Sequence, residues 1–246
     1  MKPIFTIITP CFNSRKTIRR TLESVLDQTI QDYEYLIMDG GSTDGTLDII
    51  REYENRFQGR MKYFSEKDNG IYDAMNKGIK YASGQIIGII NSDDWYEKDA
   101  LENVLSVNSD EEFLIFHGMM RIIDHENGKE IRTVIYSADY LQDAMINHPT
   151  VFVKRKVYQT FGTFDCQYRS GADYELMIRF YNTGKIKFIP IYKIMANFRT
   201  GGMSSSVHAL KEAMQIKYRY SLMNRSQYIA ASIFLFSRKF FRYMPR

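Results

Sequence analysis

Gln85-Ile86-Ile87-Gly88-Ile89-Ile90-Asn91-Ser92-Asp93-Asp94 is the stretch that decides the fold. Four isoleucines around one glycine make a run of strand length with no polar alternation, the pattern of a strand buried on both faces. It stops abruptly on an amide and two adjacent carboxylates. Reading backwards, Ile71–Ser83 predicts a helix and Lys62–Ser65 a short strand. Thr46–Tyr53 predicts a helix that Ser42, Thr43 or Asp44 can cap, and Tyr35–Met38 a strand. Ser14–Gln28 predicts a helix from the spacing of Ile18, Leu22, Val25 and Leu26, and Ile4–Thr9 a first strand. Reading forwards, a helix over about 98–107 and a strand over Phe113–His117 follow. Strands alternating with helices predict βαβ units and a mostly parallel central sheet flanked by helices.

Beyond residue 120 the pattern loosens. Arg121–Asp124 and Lys129–Ile135 predict a hairpin around His125–Gly128, Asp173–Tyr181 a helix, and Lys187–Phe198 one or two strands. The expected organisation is one α/β domain over residues 1–210, with halves at 1–120 and 121–210, followed by a helical C-terminal extension over 211–246.

Composition narrows the function classes. The chain has 246 residues, 44% apolar and 25% charged, which is soluble and globular. No apolar run reaches the roughly 18–20 residues that span a bilayer. The N-terminus shows no small-residue cleavage site, so no secretory signal is expected. Cys11 and Cys166 form neither a disulfide framework nor a metal spacing, which favours a reducing cytoplasm. The net charge of +4 is unevenly placed: residues 211–246 carry eight Lys or Arg against one acid, Glu212, which leaves the body slightly acidic. An acidic body argues against nucleic acid as the partner.

In open α/β sheets ligands bind beyond the carboxyl ends of the strands, and the polar residues collect there. The predicted strands end in Thr9-Pro10-Cys11-Phe12-Asn13, in Asp39-Gly40-Gly41-Ser42-Thr43-Asp44-Gly45, in Glu66-Lys67-Asp68-Asn69-Gly70, and in Asn91-Ser92-Asp93-Asp94. Singly, each is equally a glycine turn, a helix cap or a solvated pair; their joint placement is what points to a site. Adjacent carboxylates repel unless one is protonated or a cation lies between them. Hard oxygen ligands suit Mg²⁺ or Mn²⁺, which typically reach a protein through one or two carboxylates and a substrate's phosphates. A nucleoside diphosphate site is the expectation. The P-loop and dinucleotide-binding glycine fingerprints are absent, and His117, His125, His148 and His208 show no ligand spacing.

Together with Ala172-Asp173-Tyr174-Glu175-Leu176, these motifs resemble family 2 glycosyltransferases of the GT-A fold, over about residues 3–200 and in the family's order. Asp68-Asn69-Gly70-Ile71-Tyr72-Asp73-Ala74-Met75-Asn76-Lys77-Gly78 resembles the bacterial exopolysaccharide and lipopolysaccharide members. The resemblance implies an inverting transferase that moves a sugar from a nucleotide-sugar donor, expected to be UDP-linked, to a hydroxyl of a growing, lipid-linked surface polysaccharide. It implies that Thr9, Pro10 and Asn13 line the nucleoside pocket, that Asp39 accepts from the base, and that Asp68, Gly70, Ser92 and Asp93 lie along the donor. Asp94 would hold Mn²⁺ or Mg²⁺ and Asp173 would be the general base, with Glu175 as the alternative. Two departures stand out: Asn91 and Met75 replace a family aspartate and arginine, and Lys67 or Lys77 is left to supply the lost charge. The reading from another class is a catalytically degenerate nucleotide-sugar-binding or scaffold subunit; a nucleotidyltransferase fits the Asp173 segment poorly.

Two further segments carry expectations. The loop Arg199-Thr200-Gly201-Gly202-Met203-Ser204-Ser205-Ser206 either closes over the donor or is a turn and cap for the next helix. Taken as a helix at 100° per residue, the tail places Ile229, Ile233, Phe236, Phe240 and Tyr243 within about 80° of arc. Arg238, Lys239, Arg242 and Arg246 share another arc of about 100°. Such a basic amphipathic helix either lies on the inner face of the plasma membrane or packs on protein.

Overall fold

The computed structural model describes residues 2–202 and 207–241. Alternation sends Phe5 and Ile7 of β1 (Phe5–Cys11) to one face of the sheet and Ile8 to the other, so both faces need cover. On the first face α1 (Ile18–Leu26) buries Ile18, Leu22 and Val25, and α2 (Thr46–Glu54) buries Ile49, Ile50 and Tyr53. Each such side chain is worth roughly 1.5–3 kcal/mol on leaving water. On the other face α3 (Ile71–Tyr81) buries Tyr72, Met75 and Ile79. With β2 (Tyr33–Asp39), β3 (Met61–Ser65) and β4 (Ile86–Ile89), β1 forms a parallel unit in the order β3-β2-β1-β4. This is the βαβ half that the isoleucine run announces.

The sheet continues past β4. Its remaining members are β5 (Trp95–Tyr96), β6 (Leu114–Ile123), β7 (Glu130–Val134), β8 (Phe152–Lys154) and β9 (Lys187–Arg199). They follow β4 in the order β8-β6-β9-β5, with β7 paired to β6. β8 runs antiparallel to both neighbours, whereas β6 and β9 are parallel. The expected hairpin is present: Ile123 faces Glu130 across the Asp124–Lys129 turn. The sequence pattern breaks Phe113–His117 from Arg121–Asp124, but one ten-residue strand runs through both. Gly118 makes this possible, because a Cβ there would lie 2.3 Å from Met195 Cγ of β9.

Helices α4 (Ala100–Ser106), α5 (Arg155–Phe161), α6 (Ala172–Tyr181), α7 (Val207–Arg219) and α8 (Arg225–Phe241) complete the fold. The boundary expected after residue 210 falls inside α7, whose Glu212 and Ile216 are buried. The start of the basic tail is therefore built into the α/β body. On α8, Ile229 and Ile233 are exposed, so this end of the apolar stripe faces outward. The side chains of Phe236, Arg238, Lys239 and Phe240, and all of Arg242, Tyr243 and Arg246, lie outside the described residues, as do Met203–Ser206 of the loop after β9. No described helix is long and apolar enough to cross a membrane.

Candidate active site

Parallel register sets the ends of β1, β2 and β3 side by side: Cys11 faces Asp39, and Asp39 faces Ser65. Short bonds then tie the loops that leave these strands. Ser42 Oγ accepts the N–H of Asn13 (2.8 Å), and Asn13 Oδ1 accepts that of Thr43 (2.9 Å). Ser14 and Ser92 share a 2.7 Å hydroxyl contact, which draws the loop after β4 against that after β1. Asn13 adopts φ 49°, a left-handed conformation that asparagine tolerates better than most residues. The four polar segments converge on one rim.

Within the rim, burial sorts the residues differently from their expected roles. Thr9 and Pro10 belong to the buried interior of β1, and Thr9 Oγ1 accepts from Tyr35 Oη (2.9 Å), so its hydroxyl faces the core and not a ligand. Asp39 is 2% exposed. Its Oδ2 accepts from the Gly41 and Ser42 N–H groups and from Ser65 Oγ, and its Oδ1 accepts from Ser42 Oγ. A carboxylate offers about four acceptor sites, so Asp39 is spent on shaping its own loop. The rim also presents Phe12, 61% exposed, an apolar ring that carries no polar signal in the sequence.

Asp68 folds toward the rim. Its Oδ1 accepts from the Gly70 N–H (2.9 Å), and its Oδ2 occupies the space beside Gly40, where a Cβ would sit 2.6 Å away. Gly70 has φ 110°, which L side chains rarely adopt. Met75 points into the core, so the position of the missing arginine does not reach the rim. Lys77 is paired with Glu66 at 2.9 Å and Asp73 at 3.4 Å.

Cationic charge instead comes from β9 and α1. The Arg199 N–H donates to Asp94 Oδ1 at 2.9 Å, and the Arg199 guanidinium acts on Asp93. Arg20 stacks over Trp95, 3.3 Å from the ring centre, and burial together with Arg199 lowers its pKa. Asp94 is 1% exposed; burial and the neighbouring Asp93 push its carboxyl well above the ordinary range. Asp93 is half-buried and raised mainly by desolvation. Asn91 turns its amide N–H toward Asp94 Oδ2 (3.5 Å), and its Oδ1 is buried with no partner among the described residues. An orphaned carbonyl oxygen beside two destabilised carboxylates is a donor set that suits a hard divalent cation. Gly202 lies over Asp93: a Cβ there would be 3.6 Å from Oδ2.

Asp173 joins the rim from the other half of the chain. Its Oδ1 accepts from Tyr72 Oη at 3.0 Å and from the Tyr174 N–H at 2.9 Å. Tyr72 stands at the start of α3, just beyond Asp68–Gly70. Burial raises the pKa of Asp173, while His148 and the Tyr72 hydroxyl pull it down. The rings of Tyr72 and His148 both pack on Phe164, with centroids at 5.4 and 6.0 Å. His148 thus belongs to the surroundings of Asp173, which its sequence context did not signal. Glu175 is buried in a pair with Arg179 (3.0 Å) and accepts from Tyr220 Oη, so it has no free face toward the rim.

A family model described as glycosyl transferase family 2 matches residues 6–171. The PGL/p-HBAD biosynthesis glycosyltransferase of Mycobacterium bovis is 29% identical over 212 residues, covering 83% of this chain and 80% of that protein. The chondroitin synthase of Escherichia coli is 32% identical over 228 residues, covering 91% of this chain but 32% of that longer protein. Among solved structures, residues 1–349 of Staphylococcus aureus TarS, in complex with UDP-GlcNAc, superpose with a TM-score of 0.71 at 19% identity, over 93% of this chain and 69% of that one. The likeness establishes the GT-A fold.

Proposed function

The chain belongs to glycosyl transferase family 2 and is a glycosyltransferase, and from that premise we propose an inverting enzyme that moves a sugar from a UDP-linked donor to a hydroxyl of a lipid-linked bacterial surface polysaccharide. The observation that carries this reading is the joining of Asp173, through Tyr72, to a rim that holds Asn91, Asp93 and Asp68. Phe12 offers an exposed ring face to the base, and Asn13 holds the loop around it. Asp68 and Gly70 flank the sugar. Ser92, tied to Ser14, sets the backbone that leads to Asp93.

Asn91 Oδ1 and the Asp93 carboxylate would hold Mn²⁺ or Mg²⁺, with Asp94 fixing Asn91 and β9 from behind. When bound, such an ion offsets the charge growing on the departing diphosphate. Arg199 and Arg20 add fixed positive charge on the same side, in the role that Met75 cannot fill. At the sugar, the acceptor oxygen bonds to the anomeric carbon as the carbon–oxygen bond to the diphosphate breaks. The bonding pair leaves with UDP, and the acceptor's proton passes to the Asp173 carboxylate. One displacement from the face opposite the leaving group inverts the configuration. The UDP-GlcNAc complex of TarS and the polymer named for chondroitin synthase support this donor and acceptor class.

Calorimetric titration of UDP is expected to show binding with Mn²⁺ and little with EDTA. Absence of UDP binding both with Mn²⁺ and with EDTA would move the reading to a scaffold subunit. A cytoplasmic enzyme with a lipid-linked acceptor works at a membrane face, and exposed Ile229 and Ile233 on the basic tail suit that contact. Sedimentation with vesicles containing phosphatidylglycerol is expected to carry the full chain down, and to leave a chain lacking residues 225–246 in solution. Equal sedimentation of the two would refute membrane contact by the tail.

A further inference from the structure

Glu212 is the one acid among residues 211–246, which hold eight basic side chains. A carboxylate so placed has every reason to stay in water, yet Glu212 is 5% exposed. Burying it is strongly unfavourable unless its oxygens are satisfied. The main chain satisfies them. Oε1 accepts the N–H of Arg169 at 2.8 Å and Oε2 that of Ser170 at 2.7 Å, while His208 Nε2 lies 3.1 Å from Oε1. Both amides belong to the loop that enters α6, and Asp173 is the second residue of that helix. Gly171 between them is packed on α7: a Cβ there would lie 2.9 Å from Ile216 Cδ1 and 3.3 Å from Glu212 Cβ. Just past the end of α7, Tyr220 Oη donates to Glu175 Oε1 of α6 at 2.5 Å.

We propose that Glu212 is a positioning residue for Asp173: by gripping two successive amides it fixes where α6 begins, and so where the base points. The inference rests on the reading of Asp173 as general base. It also draws the start of the tail into catalysis, although α7 lies beyond the family match, which ends at residue 171. A carboxylate accepts both N–H groups at once, whereas an amide of the same shape accepts one and turns its N–H₂ toward the other. Proton transfer to a base tolerates little displacement, and a 1 Å shift made from a distance can cost about 10²-fold.

The test uses the full chain with Mn²⁺ and a panel of UDP-sugars, following UDP release, in which water replaces the acceptor. Glu212→Gln is expected to lower kcat by about 10–100-fold, with the donor's KM and the Kd of UDP unchanged, and Glu212→Asp to recover part of the loss. Hydrogen exchange over residues 166–174 should quicken in Glu212→Gln but not over β1–β4. Wild-type kcat in a folded Glu212→Gln, or unchanged exchange in that loop, overturns the proposal. So does a parallel fall of kcat, UDP affinity and melting temperature, which would mark a general prop of the fold. Failure of the wild type to bind UDP sinks the underlying transferase reading instead, and the exchange rates then still decide whether Glu212 holds the loop.

Discussion

Asp173→Asn is expected to lower the rate of sugar transfer by about 10²–10⁴-fold while UDP and donor affinities stay within about twofold of wild type. The amide keeps the shape of the carboxylate, and its oxygen still accepts from Tyr72 Oη, so the helix start and the rim are undisturbed. What is lost is a group that can take a proton. The same group sets a pH signature. Burial raises the Asp173 pKa above that of an ordinary aspartate, with His148 and Tyr72 opposing the rise. The base works ionised, so kcat is full above this pKa and falls as pH drops through it. The acidic limb should therefore lie above the range of an exposed aspartate, and it should vanish in Asp173→Asn. Tyr72→Phe removes a bond that favours the ionised form, so it should move the limb upward. Rates from pH 4 to 8 on the three proteins decide the matter; an unchanged limb in Asp173→Asn would assign the base elsewhere.

Asp93→Asn is expected to weaken Mn²⁺-dependent UDP binding by about 10²-fold or more, in keeping with the loss of a ligand exceeding the 10–100-fold typical of a group behind one. Asn91 offers a neutral oxygen, and Asp94 is buried with Oδ1 on the Arg199 N–H and Oδ2 near the Asn91 amide. The negative charge available to a cation therefore rests on Asp93. Asp94→Asn is the informative contrast, because its amide oxygen can still accept from Arg199. A smaller loss is expected there. Calorimetry with Mn²⁺ on both variants compares them directly. A larger loss in Asp94→Asn would return the metal to Asp94, the assignment that the family motif alone suggests.

Most of the parallel half was legible because its signals are local. The Ile86–Ile90 run, the helical spacing in Ser14–Gln28 and the glycine turn after Asp39 each state their structure within a dozen residues. Convergence of four loops on one rim then followed from the topology of parallel strands. The second half was less legible. β5 and β8 are two and three residues long, too short to show a period, and exist because β9, β4 and β6 offer edges to pair with.

The inventory of the rim was readable as well: which loops, which carboxylates, and an aspartate at the start of α6. The direction each side chain faces was not. Asp93 and Asp94 are neighbours in sequence, and it is Asp94 that turns inward, held by the Arg199 amide 105 residues away and by the Asn91 side chain. Asp173 and Glu175 are two helical residues apart and so face different ways; Tyr220 and Arg179 claim Glu175, while Tyr72, 101 residues from Asp173, claims the other. Thr9 and Asp39 were drawn inward by Tyr35 and by Ser42 and Ser65. Residue type and spacing determine what chemistry is present, because hydrophobic period and turn chemistry act locally. Whether a polar group serves a ligand or the fold depends on which partner reaches it first, and those partners are brought near only when the chain has closed on itself.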